Sequence, residues 1–296
     1  MPVETPTRYT GTHSMPANRK ATVRGATAPG RPPSDFGRHL RHWRAARGLS
    51  QLDLALQAEI SARHLGFVER GRATPSREMV LHLCTALDVP ARERNTLLVA
   101  AGYAPLHPET PLGTPAMADV RWLLDLMLRQ QEPYPAVVVD RAWNTVMRND
   151  AATRLGAWLF DDFPPALRER PNTIRLALHP DGLRRFALNW PQVAADLVRR
   201  LDRQARAPGA GDDLRALRDE VLAYPEVPSP RALPAEHDEP AVLLPLHLRK
   251  GDVELRLVSA LTKIATSDDV TVQELCVESL LPADDATARA LERLRV

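Results

Sequence analysis

"SQLDLALQAEISARHLGFVERGRATPS", residues 50–76, decides how the front of this chain folds. Ser50 stands before an apolar run with Asp53 three residues on, the spacing at which a hydroxyl and a carboxylate cap a helix start reciprocally. Leu54, Ala55 and Ala58 then fall on one side of the helix. Ser61 repeats the start signal, Leu65 and Val68 point inward, and Gly71 stops the second helix. Two short capped helices with an abrupt turn between them are predicted.

Working outward, Phe36, Leu40 and Trp43 recur at i, i+4 and i+7, a helical stripe that begins at Asp35 and ends near Gly48. Downstream, Thr74-Pro75 or Ser76 opens a fourth helix with Met79, Val80, Leu83 and Leu87 inward. A fifth runs over about Ala91–Ala101 and stops at Gly102, a natural left-handed cap. Residues 34–103 therefore form an all-helical head of five helices. Residues 1–33 show no period and read as a disordered tail, within which Met15 is an alternative start.

The periodicity changes after 104–114, a proline-rich stretch read as a linker. Residues 115–131 are helical. "PAVVVD" (135–140) and "NTVMRN" (144–149) are short, β-branched and separated by a turn, so they read as paired strands. Helices are expected at 150–159, 165–178, 191–206 and 212–223. Over 241–264 a hairpin is expected, with Leu244, Leu246 and Leu248 alternating on one arm and Leu255, Leu257 and Leu261 on the other. Its turn is Lys250-Gly251-Asp252. Residues 271–282 read as a fifth strand and 284–295 as a closing helix. The fold class is α+β, a helical head joined to a body, 115–296, built on an antiparallel sheet with flanking helices.

Charge divides at the same place. Residues 1–105 carry a net charge of +7 and the rest −5, although the whole chain is only +2. A basic front and an acidic remainder are expected where one part meets a polyanion. With 44% hydrophobic and 26% charged residues, the chain has the composition of a core-forming globular protein. No apolar run approaches the length of a membrane span. Cys84 and Cys276 both lie in apolar segments and read as reduced core thiols, so a soluble intracellular protein is expected.

The two capped helices match the helix-turn-helix plan, in which the second helix presents its N-terminal residues to the major groove. Candidate DNA-binding residues are Gln51, Ser61, Ala62, Arg63, His64 and Phe67, with Arg44, Arg70 and Arg72 toward phosphates. Arg63 can grip guanine O6 and N7 with two hydrogen bonds, and Ala62 and Phe67 can meet thymine methyls. Phosphate contacts supply affinity but little sequence information. Enzymatic signals are missing: no phosphate-cradling glycine loop, no G-x-S-x-G, no Cys-x-x-Cys. His39 and His42 lack a third ligand at a recognisable spacing, so no metal or other cofactor is expected.

"RGLSQLDLALQAEISARHLGFVERGRATPS" resembles the XRE, or phage-repressor-like, helix-turn-helix family through Ser50-Gln51, Ala55, Ile60-Ser61, Glu69, Gly71 and Pro75-Ser76. Glu59 stands where that family usually has glycine, which implies a left-handed turn residue and a strain of about 1 kcal/mol. "NTLLVAAGYAP" (95–105), "PAVVVDRAWNTVMRND" (135–150), "LALHPDGLRRFALNW" (176–190) and "SDDVTVQELCVESLLPADDATARAL" (267–291) resemble the MmyB-like regulators. Arg185 departs from that pattern, which usually has proline. The resemblance implies an XRE-type head on a PAS-like ligand-binding body, with a lipid or fatty acid as the ligand.

A sheet with one apolar face under helices can hold a cavity. Candidate lining residues are Trp143, Val146, Phe160, Phe186, Trp190, Leu244, Leu246, Leu255 and Leu257. Candidate polar anchors are Asn149 and Arg184, whose guanidinium suits a carboxylate. The expected function is a homodimeric, one-component transcriptional regulator that binds operator DNA and senses a small apolar or amphipathic ligand. The alternative is a DNA-binding, antitoxin-like protein whose body binds a protein partner.

Overall fold

The computed structural model describes residues 35–207, 209–233, 245–264 and 267–294. The tail 1–33 and Leu244 lie outside the described residues. The head is α1 (Asp35–Ala46), α2 (Gln51–Gln57), α3 (Ala62–Glu69), α4 (Arg77–Ala86) and α5 (Ala91–Ala100). The starts of α2, α3 and α4 are set by side chains. Ser50 Oγ accepts from Asp53 N at 3.1 Å while Asp53 Oδ2 accepts from Ser50 N at 2.9 Å. Ser61 and Ser76 cap α3 and α4 in the same manner, each through one amide. Glu59 takes the left-handed conformation the turn requires, with φ 47°, and Gly102 ends α5 at φ 87°.

Leu40, Leu54, Leu65, Leu83 and Leu98 interlock in a fully buried core between these helices. One close approach gave no sequence signal. A Cβ on Gly37 of α1 would sit 2.4 Å from the Glu69 carbonyl oxygen at the end of α3. Only glycine lets those two helices come so near.

The body comprises α6 (Ala118–Gln130), β1 (Ala136–Val139), β2 (Thr145–Arg148), α7 (Asp150–Leu159), α8 (Pro165–Glu169), α9 (Thr173–Leu178), α10 (Trp190–Arg206) and α11 (Asp212–Leu222). These are followed by β3 (Pro245–Lys250), β4 (Val253–Lys263), α12 (Val270–Glu274), β5 (Cys276–Pro282) and α13 (Asp285–Arg293). The sheet order is β2-β1-β5-β4-β3, and every neighbouring pair is antiparallel. The protein is thus α+β, a helical region followed by a five-stranded antiparallel sheet with flanking helices.

Two elements differ from the sequence reading. The helix expected over 165–178 is broken because Pro171 forces Arg170 out of the helical region, to φ −132° and ψ 70°. Asn172 then restarts it by accepting from Arg175 N. The strand expected from 271 begins as a helical turn instead. The Asp269 carboxylate accepts from the amides of Thr271 and Val272 and captures them into α12.

Leu246 pairs with Leu257 and Leu248 with Leu255, so the four share one face of the sheet. On that face Cys276 packs with Val139, Trp143, α9, α10 and α11. Farther along it, Leu280 joins the hairpin leucines, Phe160, α7 and α13 in a second cluster. The other face is covered by α6, with Leu124 and Leu128 on Ala136, Val138 and Val277.

The proline-rich segment 104–114 is bonded on both sides. Asn95 Oδ1 accepts from the amides of Leu106 and His107 at 2.9 and 3.0 Å. On the body side, Val270 N donates to Pro108 O at 2.8 Å and Thr110 N to Asp269 Oδ2 at 3.2 Å.

Candidate nucleic-acid interface and ligand face

The turn at Glu59-Ile60 brings α3 across α2 and leaves the first turns of α3 facing outward. Ser61 and Arg63 are exposed there, and Ala62, His64 and Phe67 are half-buried. Ser61 Oγ accepts from His64 N at 3.2 Å, which leaves its hydroxyl hydrogen for a DNA phosphate. The guanidinium of Arg63 lies 5.5 Å from the centroid of the Phe67 ring, and that of Arg70 lies 5.6 Å from it. Phe67, expected to meet a thymine methyl, also carries two arginines against its ring, through cation–π contacts of about 0.5–1 kcal/mol each. Arg72 is exposed and has no side-chain partner among the described residues.

Arg44 is placed differently from the sequence expectation. Glu69 is 0% exposed, and a carboxylate taken out of water needs charge and hydrogen-bond partners. Arg44 supplies them, with Nε 2.8 Å from Oε1 and one Nη 3.3 Å from Oε2. Its other Nη donates to Leu49 O at 2.9 Å. The guanidinium expected on a phosphate is thus the counter-ion of a buried acid. Gln51 Nε2 donates to Glu69 Oε2 at 2.6 Å, so Gln51 is fixed by one hydrogen and offers DNA its Oε1 and its remaining N–H. Sequence reasoning passed over Glu69 as a site residue. The signal was its place at i+4 from Leu65, on the inward side of α3.

In the body, the predicted ligand residues separate into two groups. Trp143 and Trp190 pack in the cluster beneath α10, where Trp143 Nε1 donates to Gln204 Oε1 at 2.9 Å. Phe160, Phe186, Leu246, Leu255 and Leu257 belong to the other cluster. There the Phe160 and Phe186 rings meet edge to face at 5.3 Å. Leu255 and Leu257 are 0% exposed.

Three predicted residues are corrected by what they touch. Val146 is 42% exposed and belongs to none of the apolar clusters among the described residues. Asn149 has its amide fully committed. Its Oδ1 accepts from Ala136 N and Ala152 N, and its Nδ2 donates to Tyr134 O and Leu128 O. It caps α7 and ties it to β1 and α6, with nothing left for a ligand. Arg184 is likewise occupied, by Pro225 O at 2.6 Å, by the Glu226 carboxylate, and by the Trp190 ring 4.3 Å away.

A polar group that the sequence reading missed lies between the two clusters. Glu278 shares the helix-covered face with Cys276 and Leu280, pairing with Val137 on one side and Leu261 on the other. Ser259 Oγ donates to its Oε1 at 2.9 Å. Burial pushes the Glu278 carboxyl up from its ordinary value, while Ser259, Arg200 and Thr173 pull it the other way. Trp190 Nε1 is buried without a hydrogen-bond partner among the described residues. Such an unmet polar atom in an apolar interior is where a small molecule finds specific bonds. The alternation of charge with Cys276 and Leu280 was its visible signal, but the hydrophobic reading of the strand hid it.

Two clefts, of about 330 and 270 Å³, open instead where the head meets the body, and neither is lined by a predicted ligand residue. No helix among the described residues is long and apolar enough to cross a membrane.

Comparison with known proteins places both halves. Residues 120–294 match the MmyB-like transcription regulator ligand binding domain, and residues 35–97 match a helix-turn-helix domain. No curated protein matches the chain. Among solved structures, the restriction-modification controller protein C.AhdI from Aeromonas hydrophila is 43% identical, covering 21% of this chain and 92% of its own, with a TM-score of 0.20. The clp gene regulator ClgR from Corynebacterium glutamicum is 26% identical, covering 34% of this chain and 93% of its own, with a TM-score of 0.21.

Proposed function

This chain belongs to the MmyB-like transcription regulators, and from that premise we propose that its sheet face senses a small amphipathic ligand which adjusts operator binding by the head. The family assignment makes it a DNA-binding helix-turn-helix regulator with a ligand-binding domain. The finer reading concerns which residues act and what they hold.

On DNA, Arg63 reads a base edge from the start of α3, with Ala62 and His64 beside it. Arg70, Arg72 and the Ser61 hydroxyl take phosphates. Gln51, held by Glu69, works from the start of α2. Two copies of the chain bind as a homodimer, since a single α3 reads only half of a symmetric site. A cytoplasmic, nucleoid-associated location follows from that role.

The observation that carries the ligand reading is the polar seam between two apolar clusters. Glu278, Ser259 and Thr173, with Arg200 near, offer hydrogen bonds and charge for a polar head. The clusters around Trp143 and around Leu257 offer walls for an apolar chain. A fatty acid has that chemistry, its carboxylate meeting Arg200 beside Glu278 and its chain lying on the apolar clusters. Mass spectrometry of organic extracts from purified protein tests the reading. A lipid recovered stoichiometrically from the native protein, and lost from a Glu278→Leu variant that still binds DNA, supports it. Clean extracts together with a co-purifying protein chain would refute it in favour of a protein-binding body.

A further inference from the structure

The larger of the two junction clefts, about 330 Å³, has Ala91 and Arg94 of the head on one side and Lys263 and Gln273 of the body on the other, with His107 of the connecting segment between them. That volume suits a metabolite-sized molecule. His107 is 9% exposed, and its Nδ1 lies 3.1 Å from the Asp268 carbonyl oxygen. A carbonyl oxygen only accepts, so Nδ1 carries the hydrogen and Nε2 is the ring nitrogen left open. Nε2 is buried without a partner among the described residues. A buried polar atom in that condition is destabilising until something completes it.

The surrounding charge says what would complete it. Arg94 donates its Nε to Val89 O at 2.6 Å, and both its Nη groups are without a hydrogen-bond partner among the described residues. The Lys263 ammonium, exposed, has none either. The positive end of α5 also opens here, its N-cap Pro90 giving no side-chain cap. Gln273 Oε1 reaches over from the body to accept from Ala91 N at 3.2 Å. Two acids stand at the rim. Asp88 is turned out to solvent near Arg47, 3.6 Å away, and Asp268 is exposed, with its backbone carbonyl serving His107.

We propose that this cleft binds a small oxyanion, the carboxylate or phosphate group of a metabolite, between Arg94, Lys263 and His107. With Nδ1–H held on the Asp268 carbonyl, the ring turns its Nε2 edge to the bound group, and the N–H groups of Arg94 and Lys263 make the charge-assisted bonds. The site is separate from the sheet face assigned to the amphipathic ligand. Because the anion would touch head and body together, it favours their docked arrangement and couples its own concentration to DNA affinity.

The test is a titration of the full-length protein with sodium phosphate and, separately, sodium acetate, with ionic strength held constant by chloride. The readout is the His107 imidazole resonance, assigned with a His107→Gln variant. A saturable shift with at least one anion is expected, weakened about tenfold or more in Arg94→Gln/Lys263→Gln. Phosphate alone assigns a phosphorylated ligand, acetate alone a carboxylate, and both the shared chemistry. Lys263→Gln by itself carries the test if the double variant fails to fold, since the Lys263 side chain is exposed. No saturable shift with either anion, or unchanged affinity in the folded variant, overturns the proposal.

Discussion

Replacing Arg44 with methionine separates a structural role from a DNA-contact role in one variant. In the folded head the Arg44 guanidinium gives Glu69 two of its three side-chain hydrogen bonds, at 2.8 and 3.3 Å, and gives Leu49 O a third of its own at 2.9 Å. Methionine preserves most of the alkyl stem, so the cavity left behind is small. What remains is a carboxylate with 0% side-chain exposure held by Gln51 alone. Removing one member of a buried pair costs about 3–5 kcal/mol, because the other is left uncompensated. Arg44 retains 17% side-chain exposure, so water reaches part of the site and the lower end, about 3 kcal/mol, is expected. Urea unfolding followed by circular dichroism should show that loss. Arg44→Met/Glu69→Leu should recover most of it, since the buried charge goes with its partner. Over the fully folded range, the slope of log K against log salt for operator binding should match wild type, whereas Arg72→Ala should shallow it by about one unit. An Arg44→Met protein within about 0.5 kcal/mol of wild-type stability, with a slope shallower by one, would return Arg44 to the phosphates and refute the reasoning.

Other outcomes follow from the same geometry. Arg63→Ala should lower operator affinity by about 1–3 kcal/mol and relax preference at one base pair, which a panel of operator variants reads directly. An equal loss on every sequence would make Arg63 a phosphate contact. Glu278 holds its proton more tightly when folded than its ordinary value of 4.5 implies, so the native state binds the extra proton and stability falls as pH rises through that window. Glu278→Gln should remove the fall and be the more stable protein, relative to wild type, at neutral pH than at pH 4. Identical pH–stability curves would show that the carboxyl is already solvated. Burial pushes the Cys84 thiol up to about 11, so native protein at pH 8 should resist alkylation by iodoacetamide while urea-unfolded protein reacts. Rapid native labelling at Cys84 would mean that the head core opens locally.

What the sequence made legible is what short-range chemistry decides. Ser50 with Asp53, Ser61 and Ser76 are capping signals complete within four residues, and all three helices start where they say. The hairpin was equally local. Alternating leucines meet in register across a turn at Gly251, whose φ is 59°. Misreadings came where a distant residue settles a side chain's fate. Arg44 and Glu69 are 25 positions apart, and Arg184 reaches Glu226 across 42. With 36 arginines among 39 basic residues, composition does not distinguish those facing DNA from those neutralising buried acids. Asn149 misled for a related reason. A lone amide at a strand end reads the same whether it awaits a ligand or, as here, closes four backbone bonds. Gly37 was invisible because nothing near it in the chain announces that α3 will pass so close.

The junction between head and body decides whether a ligand could control DNA binding at all. Glu274, at the end of α12, lies four residues before Glu278 on the sheet, and its carboxylate meets Arg92 of α5 at 2.6 and 3.0 Å. Glu274 and Glu109 hold the Arg92 guanidinium well above its ordinary value. Gln273 reaches Ala91 N, so consecutive residues of the body grip the first turn of α5, whose Leu97 and Leu98 lie in the head core. A shift of β5 at the Glu278 seam, where the ligand is proposed to sit, has a short, packed route into the helix-turn-helix region. The strength of the grip matters as much as its path. The Arg92 and Glu274 side chains are 23% and 24% exposed, so the pair contributes about 1 kcal/mol rather than the several kcal/mol of a buried one. Adding the few hydrogen bonds from the connecting segment, at about 1 kcal/mol each, gives docking on the order of a few kcal/mol. A ligand that prefers one arrangement 10⁴-fold supplies about 5.5 kcal/mol. The head is therefore held firmly enough to have a preferred position, and weakly enough for a bound molecule to change it.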